Sequence, residues 1–191
     1  MDYKLIFVDE SKIQQNNNNY RTWRRQDETI YYSIEKKKSK NLIAAVGENN
    51  VIYYEINDEN TNENIFLSFM KNLKSHIDKM KIDRYIIILD NFSGHKTPLL
   101  LNYFQEEKIN IIFNSLYQSV FNCIELFFRL IKQKIYNKLY KSVEEVITEM
   151  KKIICDESIK DSLIQNFRET LEEYYKYSIE HKNLNLNNFE C

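Results

Sequence analysis

A chain of 191 residues that is 43% hydrophobic and 29% charged is sized and balanced for one globular domain with an ordinary core. Its net charge of −1 excludes nucleic-acid binding through overall basicity, so any such surface must be local. No apolar run approaches the ~20 residues needed to span a bilayer, the start Met1-Asp2-Tyr3-Lys4 lacks signal-peptide character, and the three cysteines lack CxxC spacing; a soluble intracellular chain with reduced thiols is expected.

Taken in order, residues 4–8 (KLIFV) predict a short strand ending at Asp9, and the asparagine run 16–19 an exposed loop. Residues 29–34 and 42–46 predict strands, and Gly47-Glu48-Asn49-Asn50 joins the latter to 51–56 as a hairpin. Apolar residues at 65, 66, 69, 70, 73 and 77 have the spacing of an amphipathic helix over 62–80. Residues 85–89 (YIIIL) lack alternation and predict a buried strand. Thr97-Pro98 is an N-cap followed by proline at the first helical position, opening a helix to about residue 105. Residues 109–113 predict another strand. The chain is helical from about 120, with Ser142-Val143-Glu144-Glu145 as a capping box for a second helix and residues 158–179 as a third.

Three carboxylates stand out in this order: Asp9, Asp90 and Glu125. Successive strand side chains face opposite ways, so Asp9 and Glu10 are not expected to serve one site together, and either satisfies that condition. If the strands at 4–8 and 85–89 are parallel neighbours, Asp9 and Asp90 emerge side by side at their carboxyl ends, where open α/β sheets place ligands. Glu125 would complete a set of oxygen donors suited to a hard cation. Its helix carries an apolar stripe of Ile124, Phe127, Phe128, Ile131 and Ile135, while Glu125, Arg129, Lys132 and Tyr136 follow the other face. That face would suit a catalytic acid beside a phosphate-binding groove; taken alone, it reads first as an ordinary amphipathic helix with i, i+4 pairing from Glu125 to Arg129.

These residues carry a resemblance to the catalytic domain of the mariner-type DDE transposases, an RNase H-like group related to retroviral integrases. The first motif is FVDES at 7–11 with Trp23 beyond it. The second is Asp90-Asn91-Phe92-Ser93-Gly94-His95-Lys96, matching "DNxSxHK". The third is Tyr117-Gln118-Ser119-Val120-Phe121-Asn122-Cys123-Ile124-Glu125, matching "YSPxLNPIE" without its prolines. The 34 residues between Asp90 and Glu125 are the separation expected of this branch and argue against a nuclease of RNA–DNA hybrids. Leu116, Ser119 and Cys123 stand where proline is usual, which loosens the expected presentation of Glu125.

The resemblance implies an α/β, RNase H-like fold: a five-stranded mixed sheet flanked by helices, with a catalytic core over 1–140 and a helical C-terminal extension over 141–191 packed on it. It implies a two-metal Mg²⁺ or Mn²⁺ site held by Asp9, Asp90 and Glu125, cleaving and joining DNA phosphodiesters. Asn91, His95, Trp23, Arg24, Arg129 and Lys132 are then expected to contact DNA or to support the ligands. The family's helix-turn-helix domains precede the first aspartate, whereas Asp9 stands near the start here. DNA recognition is therefore expected from a separate chain or a homodimer partner, in the nucleus of a eukaryote or otherwise the cytoplasm. The alternative is a non-catalytic, transposase-derived module that binds DNA or protein within a larger complex.

Overall fold

The structure, a computed structural model, describes residues 3–15, 38–114 and 122–186. Strand β1 (Lys4–Gln14) lies at the centre of a five-stranded sheet with β2 (Ser39–Val46), β3 (Val51–Asn57), β4 (Tyr85–Leu89) and β5 (Ile111–Phe113), in the order β3-β2-β1-β4-β5. β1 pairs antiparallel with β2 and parallel with β4, β3 pairs antiparallel with β2, and β5 pairs parallel with β4. The sheet is therefore mixed. The hairpin between β2 and β3 closes with Gly47 N–H donating to Asn50 O at 2.9 Å.

β1 does not end at Asp9 as its apolar run suggests. Its parallel ladder with β4 stops at Val8 opposite Leu89, but the antiparallel ladder with β2 continues from Asp9 opposite Ala44 to Gln14 opposite Ser39. Buried Ser11 and Ile13 keep this extension seated. The expected strand at 29–34 and the asparagine loop lie outside the described residues.

Alternation divides the core between two faces. On one, Phe7, Ile13, Leu42, Ala44, Val46 and Ile88 pack against α3 (Cys123–Tyr136), α4 (Val143–Ile154) and α5 (Glu157–Leu186). On the other, Ile6, Val8, Ile43, Ala45, Ile87 and Leu89 meet α1 (Glu63–Lys79) and α2 (Pro98–Glu106). The C-terminal helices thus share one core with the sheet; Phe7 meets Phe167 of α5 edge to face at 5.7 Å. No helix among the described residues is long and apolar enough to cross a membrane.

The helices begin where their caps stand. Asn62 accepts from the Asn64 and Ile65 amides, Thr97 from Leu100 with Pro98 following, and Ser142 from Glu145. Glu145 reaches back to the Lys141 amide, one residue earlier than a capping box requires. α1 and α2 end on lysines in the left-handed region, Lys81 (φ 55°) and Lys108 (φ 54°). The next residues fold back, Ile82 N–H to Ile77 O and Ile109 N–H to Phe104 O, as in a Schellman ending. This delays β5 to Ile111 rather than 109, because Ile109 finishes the cap of α2.

With only two glycines in the chain, these left-handed positions fall to lysine. Lys108→Gly is expected to raise unfolding free energy by about 0.5–1 kcal/mol. Phe7→Ala should lower it by about 3–5 kcal/mol, because it empties a fully buried site between sheet and α5. Urea denaturation measures both.

Candidate active site

The site forms where β1 outlasts β4. Asp9 is the first β1 residue beyond the parallel ladder, and Asp90 follows the last residue of β4, so the two acids leave adjacent strands at the same level. Asp9 faces the α3 side of the sheet, as Phe7 does two residues earlier. Its Oδ1 accepts from the Glu10 amide at 2.7 Å, and its Oδ2 from Asn122 Nδ2 at 3.2 Å. Burial pushes the Asp9 carboxyl up to about 7; the Glu10 amide pulls against this, and the negative charges of Asp90, Glu10 and Glu125 add to the rise.

After Asp90 the chain makes an Asx turn, with Phe92 N–H donating to Asp90 Oδ1 at 3.1 Å. It then enters a 3₁₀ turn, Ser93–Lys96, that swings His95 under the end of the sheet. His95 Nδ1 lies 2.7 Å from Asp90 Oδ1, off the axis of a straight hydrogen bond, and Nε2 lies 3.1 Å from Glu10 Oε2. The ring stacks on Phe66 of α1, with centroids 4.4 Å apart. Burial alone would lower the imidazole's pKa; contact with Asp90 and Glu10 outweighs it and lifts the value to about 9. Burial likewise pushes Asp90 up, but His95, the Phe92 amide and Lys96 hold its carboxyl below the usual range.

Glu125 is exposed in the first turn of α3, where the helix dipole favours an acid. The buried stripe of α3 is the expected one, extended by Cys123. Cys123 occupies the first helical position, and its burial raises its thiol pKa. Arg129 is exposed and Lys132 half-buried on the outer side. Glu125 and Arg129 are both solvent-facing, so pairing between them would contribute only a few tenths of a kcal/mol.

Asp9, Asp90 and His95 are therefore brought together, and Glu125 is near enough for its charge to act on Asp9. Among the described residues, no three His, Cys, Asp or Glu side chains are gathered closely enough to form a ready cation cage. The donors still fit a hard divalent ion: all are carboxylate oxygens, and mutual repulsion at Asp9 is what a cation would relieve. Asn91 keeps its Oδ1 buried with no hydrogen-bond partner among the described residues. Trp23, Arg24 and residues 115–121 of the third motif lie outside the described residues.

Two residues at the site escape the sequence reading. Glu10 does lie on the opposite face from Asp9, but strand alternation says nothing of a turn that carries His95 to that face; the signal was its place beside Asp9 in DES. Asn122 has the position of a helix cap, yet makes no side-chain cap and donates to Asp9 instead. Its signal was its match to the asparagine of the third motif.

Residues 4–147 match the family model described as DDE superfamily endonuclease. Among solved structures, the Mos1 transposase paired-end complex with left transposon end superposes with a TM-score of 0.72 at 16% identity, covering 89% of this chain and 54% of that one. The mariner Mos1 paired end complex with Mg gives 0.73 at 16% identity, with 89% and 54% covered. The catalytic domain of Mos1 mariner transposase gives 0.67 at 16% identity, with 89% and 79% covered. The chain spans about half the length of the Mos1 chains in the paired-end complexes. No curated protein matches it in sequence.

The folded chain holds the Asp9 proton more tightly than the unfolded chain, so this group's penalty is absent below pH ~4, grows as pH rises and is complete above about 7. Asp9→Asn should therefore stabilise the metal-free protein at pH 8, by about 2–4 kcal/mol. The gain should shrink as pH falls towards 4, read from melting curves of both proteins in chelator.

Proposed function

The chain belongs to the DDE superfamily endonucleases, and from that premise we propose that it is the catalytic domain of a mariner-type DNA transposase, or of a domesticated descendant, that cuts and joins DNA phosphodiesters with Mg²⁺ or Mn²⁺. The observation that carries this reading is the convergence of Asp9 and Asp90 where the parallel pairing of β1 and β4 stops, with Glu125 close enough to repel Asp9. Its RNase H-like fold is shared with the Mos1 catalytic domain, and that likeness supports the same reading.

Asp9, Asp90 and Glu125 would hold the two ions. Bound there, such ions polarise a phosphoryl oxygen and lower the pKa of a water or a 3′-hydroxyl. The chain's own residues prepare the place. Asn122 ties Asp9 Oδ2 to the start of α3, linking the strand ligand to the helix that bears Glu125. His95 holds Asp90, and its charge offsets one of the assembled carboxylates. Arg129 and Lys132, on the outer side of the helix that starts with Glu125, would receive the phosphate backbone. Trp23, Arg24 and Asn91 would add DNA contacts. In this reading residues 1–140 form the catalytic core and 141–191 buttress it.

Recognition of a particular DNA end would come from a second copy of the chain or a separate DNA-binding chain. Mos1 transposase itself is seen in a paired-end complex with its left transposon end. The enzyme would work where chromosomal DNA lies, in the nucleus of a eukaryote or otherwise in the cytoplasm. A second reading, a non-catalytic DNA- or protein-binding module, draws on the replacement of proline by Leu116, Ser119 and Cys123 ahead of Glu125.

Supercoiled plasmid incubated with the protein decides between them. Nicking is expected with Mn²⁺ and not with chelator, and Asp90→Asn or Glu125→Gln should reduce it by roughly a hundredfold or more. Equal nicking by Asp90→Asn would sink the catalytic assignment. Retained DNA binding with no cleavage by the unaltered protein would establish the module.

A further inference from the structure

The Asp90 carboxylate has little of its own to hold it. It stands after the last residue of β4, beyond the parallel ladder, and its side chain is 42% exposed. A strand-end aspartate in that position rotates freely unless something fixes it. The Phe92 amide and His95 Nδ1 both contact Oδ1, and among the described residues none contacts Oδ2. One oxygen is thus tied down while the other is presented.

The imidazole doing this is itself immobilised from three elements. Glu10 of β1 meets Nε2 at 3.1 Å, and Phe66 of α1 lies nearly parallel to the ring, 26° between planes. Phe92 closes the third side edge-on at 5.6 Å. The His95 side chain is 3% exposed. Turning the ring would break the stack and both carboxylate contacts at once. Both ring nitrogens lie against carboxylate oxygens, one on each side of the imidazole.

We propose that Glu10 and His95 are a positioning pair that orients Asp90 with Oδ2 presented to a divalent cation, an inference that rests on reading Asp9, Asp90 and Glu125 as cation ligands. β1 then serves the site from both faces, with a ligand at Asp9 and a brace for the second ligand at Glu10. The arrangement extends to a carboxylate ligand the logic by which an outer carboxylate and histidine orient a metal-binding group.

Mn²⁺ titration followed by calorimetry, with no DNA present, tests the pair. Glu10→Ala and His95→Phe, the latter keeping an aromatic ring against Phe66, should weaken Mn²⁺ binding by roughly 10–100-fold. Glu10→Gln, which still offers Nε2 an oxygen, should stay near the original affinity. Metal-free melting curves identify any variant that has lost its fold, and affinities are compared among those that keep it; Glu10, at 21% side-chain exposure, is the more forgiving site. Asp90→Asn separates the two levels of the argument. If it binds Mn²⁺ as well as the original protein, the cation site itself is wrong and the inference falls with it. If Asp90→Asn loses Mn²⁺ while Glu10→Ala and His95→Phe keep it, the site stands and the positioning pair is overturned. Equal losses in Glu10→Gln and Glu10→Ala would also overturn it, since charge rather than orientation would then be what Glu10 supplies.

Discussion

The double pairing of β1 is the constraint on which everything at the site depends. Through Val8 the strand is bonded to β4 on one side and β2 on the other; from Asp9 onward its ladder, among the described residues, is with β2 alone. That offset leaves Asp9 at an opening in the sheet while keeping its backbone extended and its direction set. Because side chains alternate, a one-residue slip against β2 would send Asp9 to the α1 side and Glu10 to the α3 side, dismantling both sets of contacts. The buried rows Phe7, Ile13 and Ile6, Val8 forbid that slip, since each would have to change faces as well.

From this register follow two different treatments of negative charge. On the α3 side, Asp9 is half-buried close to other acids, with neutral donors from Glu10 N–H and Asn122 as its contacts, and its proton affinity rises. On the α1 side, Glu10 meets the His95 cation, which also reaches Asp90 at the strand end, and Asp90 stays ionised more readily than a free carboxyl. A repulsive cluster of this kind costs stability in a metal-free protein, and such costs concentrate at functional sites. The aromatic stack on Phe66 places the cation in a surrounding of low polarity, where its pull on the two carboxylates is strong.

Long periodic elements were legible from the residues. The stripe of α3, the apolar spacing of α1, Thr97-Pro98 before α2 and the hairpin at Gly47 rest on local chemistry that tertiary packing had no reason to override. The misjudged boundaries have non-local causes. ESKIQ looks unlike a strand because Ile13 is its one aliphatic residue, and β2 supplies the ladder that makes it one. The start of β5 shifted because Ile109, its first expected residue, finishes α2 instead. The 3₁₀ turn at Ser93–Lys96 is too short to have a period.

By itself the sequence determined the order of strands and helices, the three motifs with their acids and spacing, and the family to which they point, because each is a matter of residue type at fixed separation. Only the tertiary structure decided which side chains meet across those separations. Asn122 reaches Asp9 over 113 positions and Glu10 reaches His95 over 85, contacts that exist because sheet pairing and two helix faces close at one end of β1. Strand alternation rightly separated Asp9 from Glu10, but it describes faces and not what arrives at them. The fold brings a helix start to one face and a histidine to the other, and so involves both acids in one site.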